Sequence, residues 1–214
     1  MTTKEKLLAL LEDSKGTFFS GEEIARTLQV SRAAVWKAVN ALREDGYTID
    51  AATNKGYRLS PDSDILSPQG IRRFLKPEYR DLDLTVLPTA PSTNALVREK
   101  ANQGRPEGCV IVACEQTDGR GRYGRQFFSP IDSGVYLSLL LRPTAYSPQQ
   151  ATCLTAAAAA AMCQAIEAVT GQQPGIKWVN DIFLHGKKVC GILTEAAVGL
   201  ETGALDYMVL GAGV

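Results

Sequence analysis

Three arginines alternate with three glycines in one short stretch, GRGRYGRQFFSP, at positions 119–130. Arginine carries a permanent charge on a planar group whose donors suit carboxylates and phosphates, and glycine lets the backbone approach a ligand closely. Because three like charges repel one another, we expect this loop to be mobile until an anion binds. A plain linker between two strands would not need this charge, so the stretch predicts an anion-binding loop. Its charged and glycine positions are Gly119, Arg120, Gly121, Arg122, Gly124 and Arg125.

Two further stretches carry polar groups that can meet an anion. KWVND, at 177–181, places a lysine, an amide and a carboxylate within five residues. PSTN, at 91–94, places hydroxyls at the start of a predicted helix, whose N-terminus can receive an anion. Taken alone, the first is an ordinary strand end and the second an ordinary helix start. The 119–130 loop is neither a GxxxxGK[ST] nor a helix-opening GxGxxG motif, so only the combination of the three stretches is specific.

The elements that must carry these groups begin with a small N-terminal domain over residues 1–60. Thr2 with Glu5 and Ser20 with Glu23 are spaced as capping boxes, and Ser31 is placed to cap a third helix. Two short strands, YTIDA and GYRLS, then flank the turn ATNK. Three helices with a tight turn between the second and third, followed by a hairpin, predict a winged helix-turn-helix.

Behind a polar linker at 61–66, residues 67–214 alternate helices and strands and predict a mixed α/β sheet domain, giving an α+β chain. A long helix contains six consecutive alanines, 156–161, small enough to lie close against a sheet. The segment 176–197 predicts a hairpin that turns at 185–187, and 205–214 a last buried strand. Because that strand ends inside an apolar run, we expect the domain to continue beyond Val214.

Composition narrows the function classes. Lys and Arg (23) balance Asp and Glu (23), so attraction to nucleic acid must come from local patches. Five cysteines form no CxxC pair and His185 is the single histidine, which argues against a zinc site and predicts no metal-ligating residues. The sequence shows no apolar signal region and no run expected to span a membrane, so we expect a cytoplasmic protein without a membrane partner.

The set STN, EQTDGRGRYGRQFFSP, KWVNDIFL, KVCGILTE and VLGAG resembles the biotin–protein ligases over essentially the whole chain. With a winged helix in front, it resembles the bacterial bifunctional type, in which ligase and biotin-operon repressor share one chain. The resemblance implies a class II synthetase-like biotin/lipoate ligase fold. It also implies activation of biotin by ATP, with Mg²⁺ in the substrate complex, and transfer from biotinyl-5′-AMP to a lysine of a biotin carboxyl carrier protein.

The resemblance further implies roles for individual residues. Lys177 and Arg122 would be catalytic, and the arginines would neutralise two anions that must meet, usually the largest catalytic contribution. The biotin site would comprise Ser92, Thr93, Asn94, Gln116, Arg120, Gly121, Arg122 and Lys177. The nucleotide site would comprise Gly119, Arg125, Phe127, Asn180 and Asp181. The family pattern has tryptophan and proline where this chain has Phe127 and Val179.

The predicted third helix would read operator DNA, supported by the wing. Residues 1–60 carry nine Lys and Arg against eight Asp and Glu, a small excess that suggests weak monomer binding assisted by dimerisation on two half-sites. A homodimer is expected when biotinyl-AMP is bound. Trp36 could fill the core or lean on the hairpin, and we favour inward packing. The predicted DNA-binding residues are Ser31, Arg32, Lys37, Asn40, Lys55 and Arg58.

Two alternatives stay open at this point. A DNA-binding biotin sensor would bind the ligand without catalysis, although the retained Lys177 and loop arginines argue against it, and pyrophosphate release would separate the two. A lipoate-type ligase shares the fold, and the shape of its ring pocket cannot be read from the sequence. The GRGRxGR loop favours biotin.

Overall fold

The computed structural model describes residues 1–143, 150–199 and 203–214. The chain forms two compact units, Met1–Asp81 and Leu82–Val214.

The first unit is a winged helix-turn-helix. Three helices are followed by a two-stranded antiparallel hairpin in which Ile49 pairs with Leu59, and then by a short helix and a 3-10 turn. These elements are α1 (Thr3–Asp13), α2 (Gly21–Leu28), α3 (Arg32–Glu44), β1 (Ile49–Ala52), β2 (Gly56–Leu59), α4 (Pro68–Arg72) and the 3-10 turn Pro77–Tyr79. The helices enclose one apolar core that includes Leu7, Leu11, Ile24, Val39 and Leu42.

Side-chain caps set the starts of these helices, as the sequence predicts. The Thr2 hydroxyl accepts a hydrogen bond from the Glu5 backbone N–H, and the Glu5 carboxylate accepts one from the Thr2 backbone N–H. Ser20 and Glu23 repeat the arrangement on α2. Ser31 accepts from the Ala34 N–H on α3. Each cap satisfies backbone donors that a helix end leaves unpaired.

The first unit extends beyond the predicted linker at 61–66. Ser67 caps α4 through the Gly70 N–H, and the α4 segment packs on α1. Arg73 donates to the backbone oxygen of Glu12 at 2.6 Å. The Glu12 side chain is 5% exposed, and desolvation raises the pKa of its carboxyl. These contacts tie the residues that follow the linker to the helical core.

The second unit is a seven-stranded sheet in the order β3-β4-β5-β9-β8-β7-β6, with two helices packed against it. Only β3 and β4 pair in parallel, and the other neighbouring strands pair antiparallel. The strands are β3 (Asp83–Leu87), β4 (Cys109–Ala113), β5 (Tyr136–Leu141), β6 (Gly175–Lys177), β7 (Asp181–Leu184), β8 (Lys187–Val198) and β9 (Leu205–Gly213), and the helices are α5 (Thr93–Asn102) and α6 (Ala151–Thr170).

The sheet confirms the mixed α/β prediction and adds a strand to it. The predicted hairpin at 176–197 is present as β7 and β8, turning at 185–187, but its first residues form the separate edge strand β6. The sequence could not separate β6 from β7, because an apolar segment interrupted by three polar residues resembles one longer strand.

The alanine-rich helix α6 packs on the sheet through only part of its surface. Ala159 is fully buried in a cluster with Ile182, Cys190 and Ile192, whereas Ala160 and Ala161 are exposed. By length and composition alone Cys153–Thr170 could cross a membrane, contrary to the expectation from the sequence. A helix that covers a sheet in a soluble protein passes the same test, so this observation is weak evidence for a membrane partner.

Candidate functional site

A cavity opens on the second unit, where the start of α5 meets the sheet and the arginine loop. It combines a polar end, an apolar wall and two cationic side chains, Arg120 and Lys188. Six residues predicted for the biotin site line it, namely Ser92, Thr93, Asn94, Gln116, Arg120 and Gly121. It is also lined by Phe127, Leu137, Lys188, Gly191, Ile192, Leu193, Gly211, Ala212 and Gly213.

Hydrogen bonds organise the polar end of this cavity. Gln116 Oε1 accepts from Thr93 N at 2.9 Å and from Thr93 Oγ1 at 3.1 Å, and its Nε2 donates to Ser129 Oγ at 3.1 Å. Ser92 is the N-cap residue of α5 but makes no capping bond with its side chain. The Gln116 carboxamide therefore satisfies the first turn of the helix, and the Ser92 hydroxyl is not committed to capping.

Asn94 is only 6% exposed, and its side chain has three polar partners. Its Nδ2 donates to Glu195 Oε2 at 2.7 Å and to Leu193 O at 3.3 Å, and its Oδ1 lies 2.6 Å from Ser138 Oγ. Ser138 Oγ also lies 2.8 Å from Thr93 Oγ1. The buried polar groups at this end thus form one connected network.

Three glycines, Gly191, Gly211 and Gly213, form part of the sheet surface that lines the cavity, and this part is called the floor. Cross-strand register puts Gly211 between Ser138 on β5 and Leu193 on β8, and Gly213 next to Gly191. A Cβ atom at Gly211 would overlap the Asn94 carboxamide, and one at Gly213 would lie 2.5 Å from Phe127. Only glycine allows these close approaches at the two positions.

Phe127 separates this cavity from a neighbouring one. Its ring packs on Gly191 and Gly213 and meets Tyr136 edge to face, with centroids 6.4 Å apart. Phe127, Lys188 and Gly213 line both cavities. Two ligands could therefore lie on either side of Phe127 with Lys188 near both.

A chain of polar contacts links the arginine loop to Lys188. Arg122 Nη1 donates to Asn180 Oδ1 at 2.9 Å, and Asn180 Nδ2 donates to Asp181 Oδ1 at 3.0 Å. Asp181 Oδ1 in turn pairs with Lys188 Nζ at 2.8 Å. The fold thus brings Asn180 and Asp181 of the KWVND stretch to the loop.

The arginine loop folds back on itself as an irregular turn. Gly121 N donates to Arg125 O at 2.7 Å, and Phe127 N donates to Gly119 O at 2.8 Å. The Arg120 guanidinium pairs with Asp118 at 2.8 Å, which raises the pKa of Arg120. The exposed Arg125 side chain forms no ion pair with the residues that the structure describes. Gly119, Arg122 and Arg125 line a groove beside the cavity, not the cavity itself.

Lys177 lies apart from the cavity. It is exposed on the edge strand β6, where its Nζ is 5.6 Å from the centre of the Phe183 ring. The lysine in the cavity wall is Lys188, which was not predicted from the sequence. The pair Lys187–Lys188 beside a turn resembles ordinary solvated turn charges, and only the pairing of β7 with β8 places Lys188 next to Asp181.

Ser138, Glu195 and the floor glycines were also missed. Ser138 and Glu195 sit in apolar strands, where an isolated polar residue in the alternating pattern was the available signal. A buried polar residue needs partners, so such a position was a candidate for a network. Their partners are 44 and 101 residues away in sequence and could not be identified from it.

The donor set offers little to a metal ion on its own. Among residues 1–143, 150–199 and 203–214, no group of three or more His, Cys, Asp or Glu side chains could hold one. The Asp181 carboxylate is already paired with Lys188.

In the first unit, a groove runs between α3 and the β1–β2 wing. Its lining includes Arg32, Trp36, Thr53 and Asn54. Trp36 is 58% exposed, so the expectation that it packs inward is wrong. The core positions of α3 are taken by Val35, Ala38, Val39 and Leu42, and Trp36 follows Val35 onto the outer face.

The six predicted DNA-binding residues fall into different environments. Arg32, Lys37 and Lys55 are exposed, and Asn40 is half-buried. Ser31 uses its hydroxyl to cap α3. Arg58 pairs with Asp50 at 2.8 Å and lies 4.7 Å from the centre of the Phe18 ring. Arg32 is the one of the six that lines the groove with Trp36.

Fold and cavity together define a ligand-binding α/β domain preceded by a winged helix. Residues 86–214 match the Biotin/lipoate A/B protein ligase family, and residues 3–58 match an HTH domain. The chain belongs to the Biotin/lipoate A/B protein ligase family.

Several characterised proteins are similar to this chain. The bifunctional ligase/repressor BirA of Bacillus spizizenii is 41% identical over 213 residues, which are 100% of this chain and 65% of that protein. BirA of Escherichia coli is 33% identical over 213 residues, 100% of this chain and 63% of that protein. The biotin protein ligase of Aquifex aeolicus, solved with biotin and ATP, gives a TM-score of 0.49 at 28% identity, covering 62% of this chain and 51% of that chain. The chain thus spans about two thirds of the length of the curated relatives.

Proposed function

We propose that this chain carries the biotin-activating site of a biotin–protein ligase joined to a DNA-binding domain. The protein would convert biotin and ATP to biotinyl-5′-AMP and pyrophosphate, and then transfer biotin to a lysine of a biotin carboxyl carrier protein. The observation that carries the proposal is the cavity at the start of α5, which joins a buried polar network at one end to Lys188 at the wall it shares with a second cavity.

The cavity suits a small bicyclic acid such as biotin. A ureido head both donates and accepts hydrogen bonds, and the network around Thr93, Asn94 and Gln116 can do the same. Leu137, Ile192 and Leu193 provide apolar surface for the rest of the ligand. Lys188 would face the valeryl carboxylate, the role that the sequence resemblance assigned to Lys177.

In the first step, a carboxylate oxygen of biotin attacks the α-phosphorus of ATP and pyrophosphate leaves. Two anions must approach each other, and preorganised cations lower that barrier. Arg120 and Lys188 line the cavity, and Arg122 is held beside them through Asn180. In the second step, a neutral lysine amine of the carrier protein attacks the acyl carbon and AMP leaves.

The nucleotide would occupy the second cavity and the groove along the loop. Phe127 offers an aromatic face, and Gly119, Arg125, Asn180 and Asp181 lie along the path from the loop to Lys188. Mg²⁺ bound to the ATP phosphates would screen their charge, with Asp181 as the carboxylate able to contact it. Closure of the loop over the adenylate would shield it from water.

The first unit would bind operator DNA and give the protein a second role as a biotin-responsive repressor. Arg32 and Trp36 line a groove beside the wing, and Lys37 and Lys55 add exposed positive charge. Binding of a homodimer, favoured by biotinyl-AMP, to a two-fold symmetric site would compensate for the small net charge. Such a regulator works in the cytoplasm.

Mass spectrometry of the purified chain after incubation with ATP, Mg²⁺ and biotin tests the enzymatic proposal. We expect bound biotinyl-AMP and stoichiometric pyrophosphate. Biotin binding without pyrophosphate would favour the biotin sensor instead. Octanoyl- or lipoyl-AMP in place of biotinyl-AMP, when those acids are supplied, would favour a lipoate-type ligase.

A further inference from the structure

Glu195 and Arg98 stand directly behind the cavity wall formed by Asn94. Glu195 Oε2 accepts from Asn94 Nδ2 at 2.7 Å, and Glu195 Oε1 accepts from Arg98 Nη1 at 3.0 Å. Asn94 lines the cavity at the start of α5, but neither Glu195 nor Arg98 does. Asn94 and Arg98 are four residues apart on α5 and so share one face of the helix. Glu195 also lines the groove along the arginine loop, but within the cavity the two charged residues can act on a ligand only through Asn94.

The contacts of Asn94 fix which way its carboxamide points. An ionised carboxylate only accepts hydrogen bonds, so the amide NH₂ must face Glu195. Its two hydrogens are taken by Glu195 Oε2 and Leu193 O. The oxygen lies on the other side, near Ser138 Oγ and above Gly211. With both donors occupied, Asn94 can offer a ligand only an acceptor.

We infer that Glu195, held by Arg98, sets the hydrogen-bonding polarity of the cavity and so selects ligands that carry an N–H donor. The inference rests on the proposed function, because the ureido ring of biotin has two N–H groups and the dithiolane ring of lipoate has none. Glu195 and Arg98 are positioning residues for ligand choice.

The Arg98–Glu195 ion pair is expected to contribute little to folding stability. The Arg98 and Glu195 side chains are 41% and 35% exposed, and ion pairs this accessible add little to folding stability. A neutral glutamine at position 195 could accept or donate, so of the two acceptors of Asn94 Nδ2 it would leave Leu193 O alone to oppose a flip of the amide. The carboxylate adds a second acceptor that fixes the orientation, and Arg98 holds the carboxylate in place.

Calorimetric titration of the full chain with biotin, desthiobiotin and lipoate tests the inference. Glu195→Gln should weaken biotin and desthiobiotin, which share the ureido ring, by about 10-fold, the size expected when a charge-assisted contact is lost. It should not weaken lipoate, titrated to millimolar concentration. Arg98→Ala should have a smaller effect of about 3-fold, and Arg98→Lys should restore binding because the charge is kept. Glu99→Gln, an exposed carboxylate on the same helix, is the matched control.

The outcomes separate this inference from the proposed function. Wild-type protein that fails to bind biotin would contradict the proposed function, and the inference with it. Wild-type protein that binds biotin while Glu195→Gln keeps wild-type affinity for both ureido ligands would overturn the inference alone. An equal loss for all three ligands, together with a lower melting temperature, would show a structural role and would also overturn it.

Discussion

The ligand cavity of the second unit and the groove of the first unit use polar side chains in opposite ways. In the cavity, Thr93, Asn94 and Ser138 are buried and bonded to one another, and their partners come from four different elements or loops. In the groove, Arg32 and Trp36 are exposed on one helix face. The cavity is thus preorganised and coupled, whereas the groove displays separate contacts.

The difference decides how substitutions should combine. Removing one member of a connected buried network leaves its neighbours unsatisfied, so effects in the cavity should be large and non-additive. Exposed residues with no shared partner should contribute independently. The following predictions test that contrast in order of decreasing effect.

Lys188→Ala should lower the rate of biotinyl-AMP formation by about 100- to 1,000-fold, or ~2.7–4 kcal/mol, the range for loss of one preorganised donor. Lys177→Ala is the matched variant, because Lys177 is a lysine of the same sheet that lies outside the cavity. We expect it to retain most of the activity, as measured by pyrophosphate release. The reverse order of the two variants would return the catalytic role to Lys177.

Gly211→Ala should lower biotin affinity by about 100-fold, or ~2.7 kcal/mol. The added methyl group would overlap the Asn94 carboxamide, which cannot move away without breaking its contacts with Glu195 and Ser138. Gly175→Ala is the control, since no atom lies within 4 Å of a Cβ there. Unchanged calorimetric affinity in Gly211→Ala would mean that the network is less rigid than we describe.

Arg32→Ala and Lys37→Ala should each weaken binding to a random-sequence DNA duplex by about 10-fold or less, and their effects should add. Each should reduce the slope of log affinity against log salt by about one. Fluorescence anisotropy at several salt concentrations measures both quantities. A strongly non-additive double variant would show that the groove is coupled like the cavity.

Much of the first unit follows from short-range signals. The caps at Thr2, Ser20 and Ser31 each involve a partner three residues away, so their spacing alone predicts them. The prediction that Trp36 packs inward was wrong. The helical pattern places Trp36 next to core positions, but it does not indicate whether any neighbouring residue covers its ring. The features that could be predicted from the sequence were those in which a residue and its partner lie within one helical turn.

The cavity, in contrast, is formed by contacts between residues that lie far apart in the sequence. Ser92, Thr93, Asn94 and Gln116 were selected through the family resemblance, and the structure brings them together. Glu195 was not found, because its partner Asn94 lies 101 residues earlier and the pairing depends on sheet register. A one-residue shift in the register of β8 would turn Glu195 to the opposite face of the sheet.

Glu12 is a buried charged residue of the first unit, unlike the exposed residues of the groove. Its substitution gives the smallest effect that we predict. Burial raises the pKa of its carboxyl above 4.5, so the folded state disfavours its charge. The stabilising contribution of the protonated form is complete below pH 4.5 and is lost as the pH rises through the folded pKa. Glu12→Gln should therefore raise the stability of the full chain at pH 7, and this gain should disappear near pH 4. Thermal unfolding at both pH values measures it, and equal gains at the two would contradict the assignment.

The glycine floor of the cavity also limits how its ligand range can change by mutation. Gly211 and Gly213 already carry the smallest side chain, so no substitution there can make room for a larger ligand. Mutations in the floor can only narrow the range of ligands. A descendant or engineered variant that accepts bulkier acids must instead shorten the walls, at Leu137, Ile192 or Leu193, where whole side chains are available for removal.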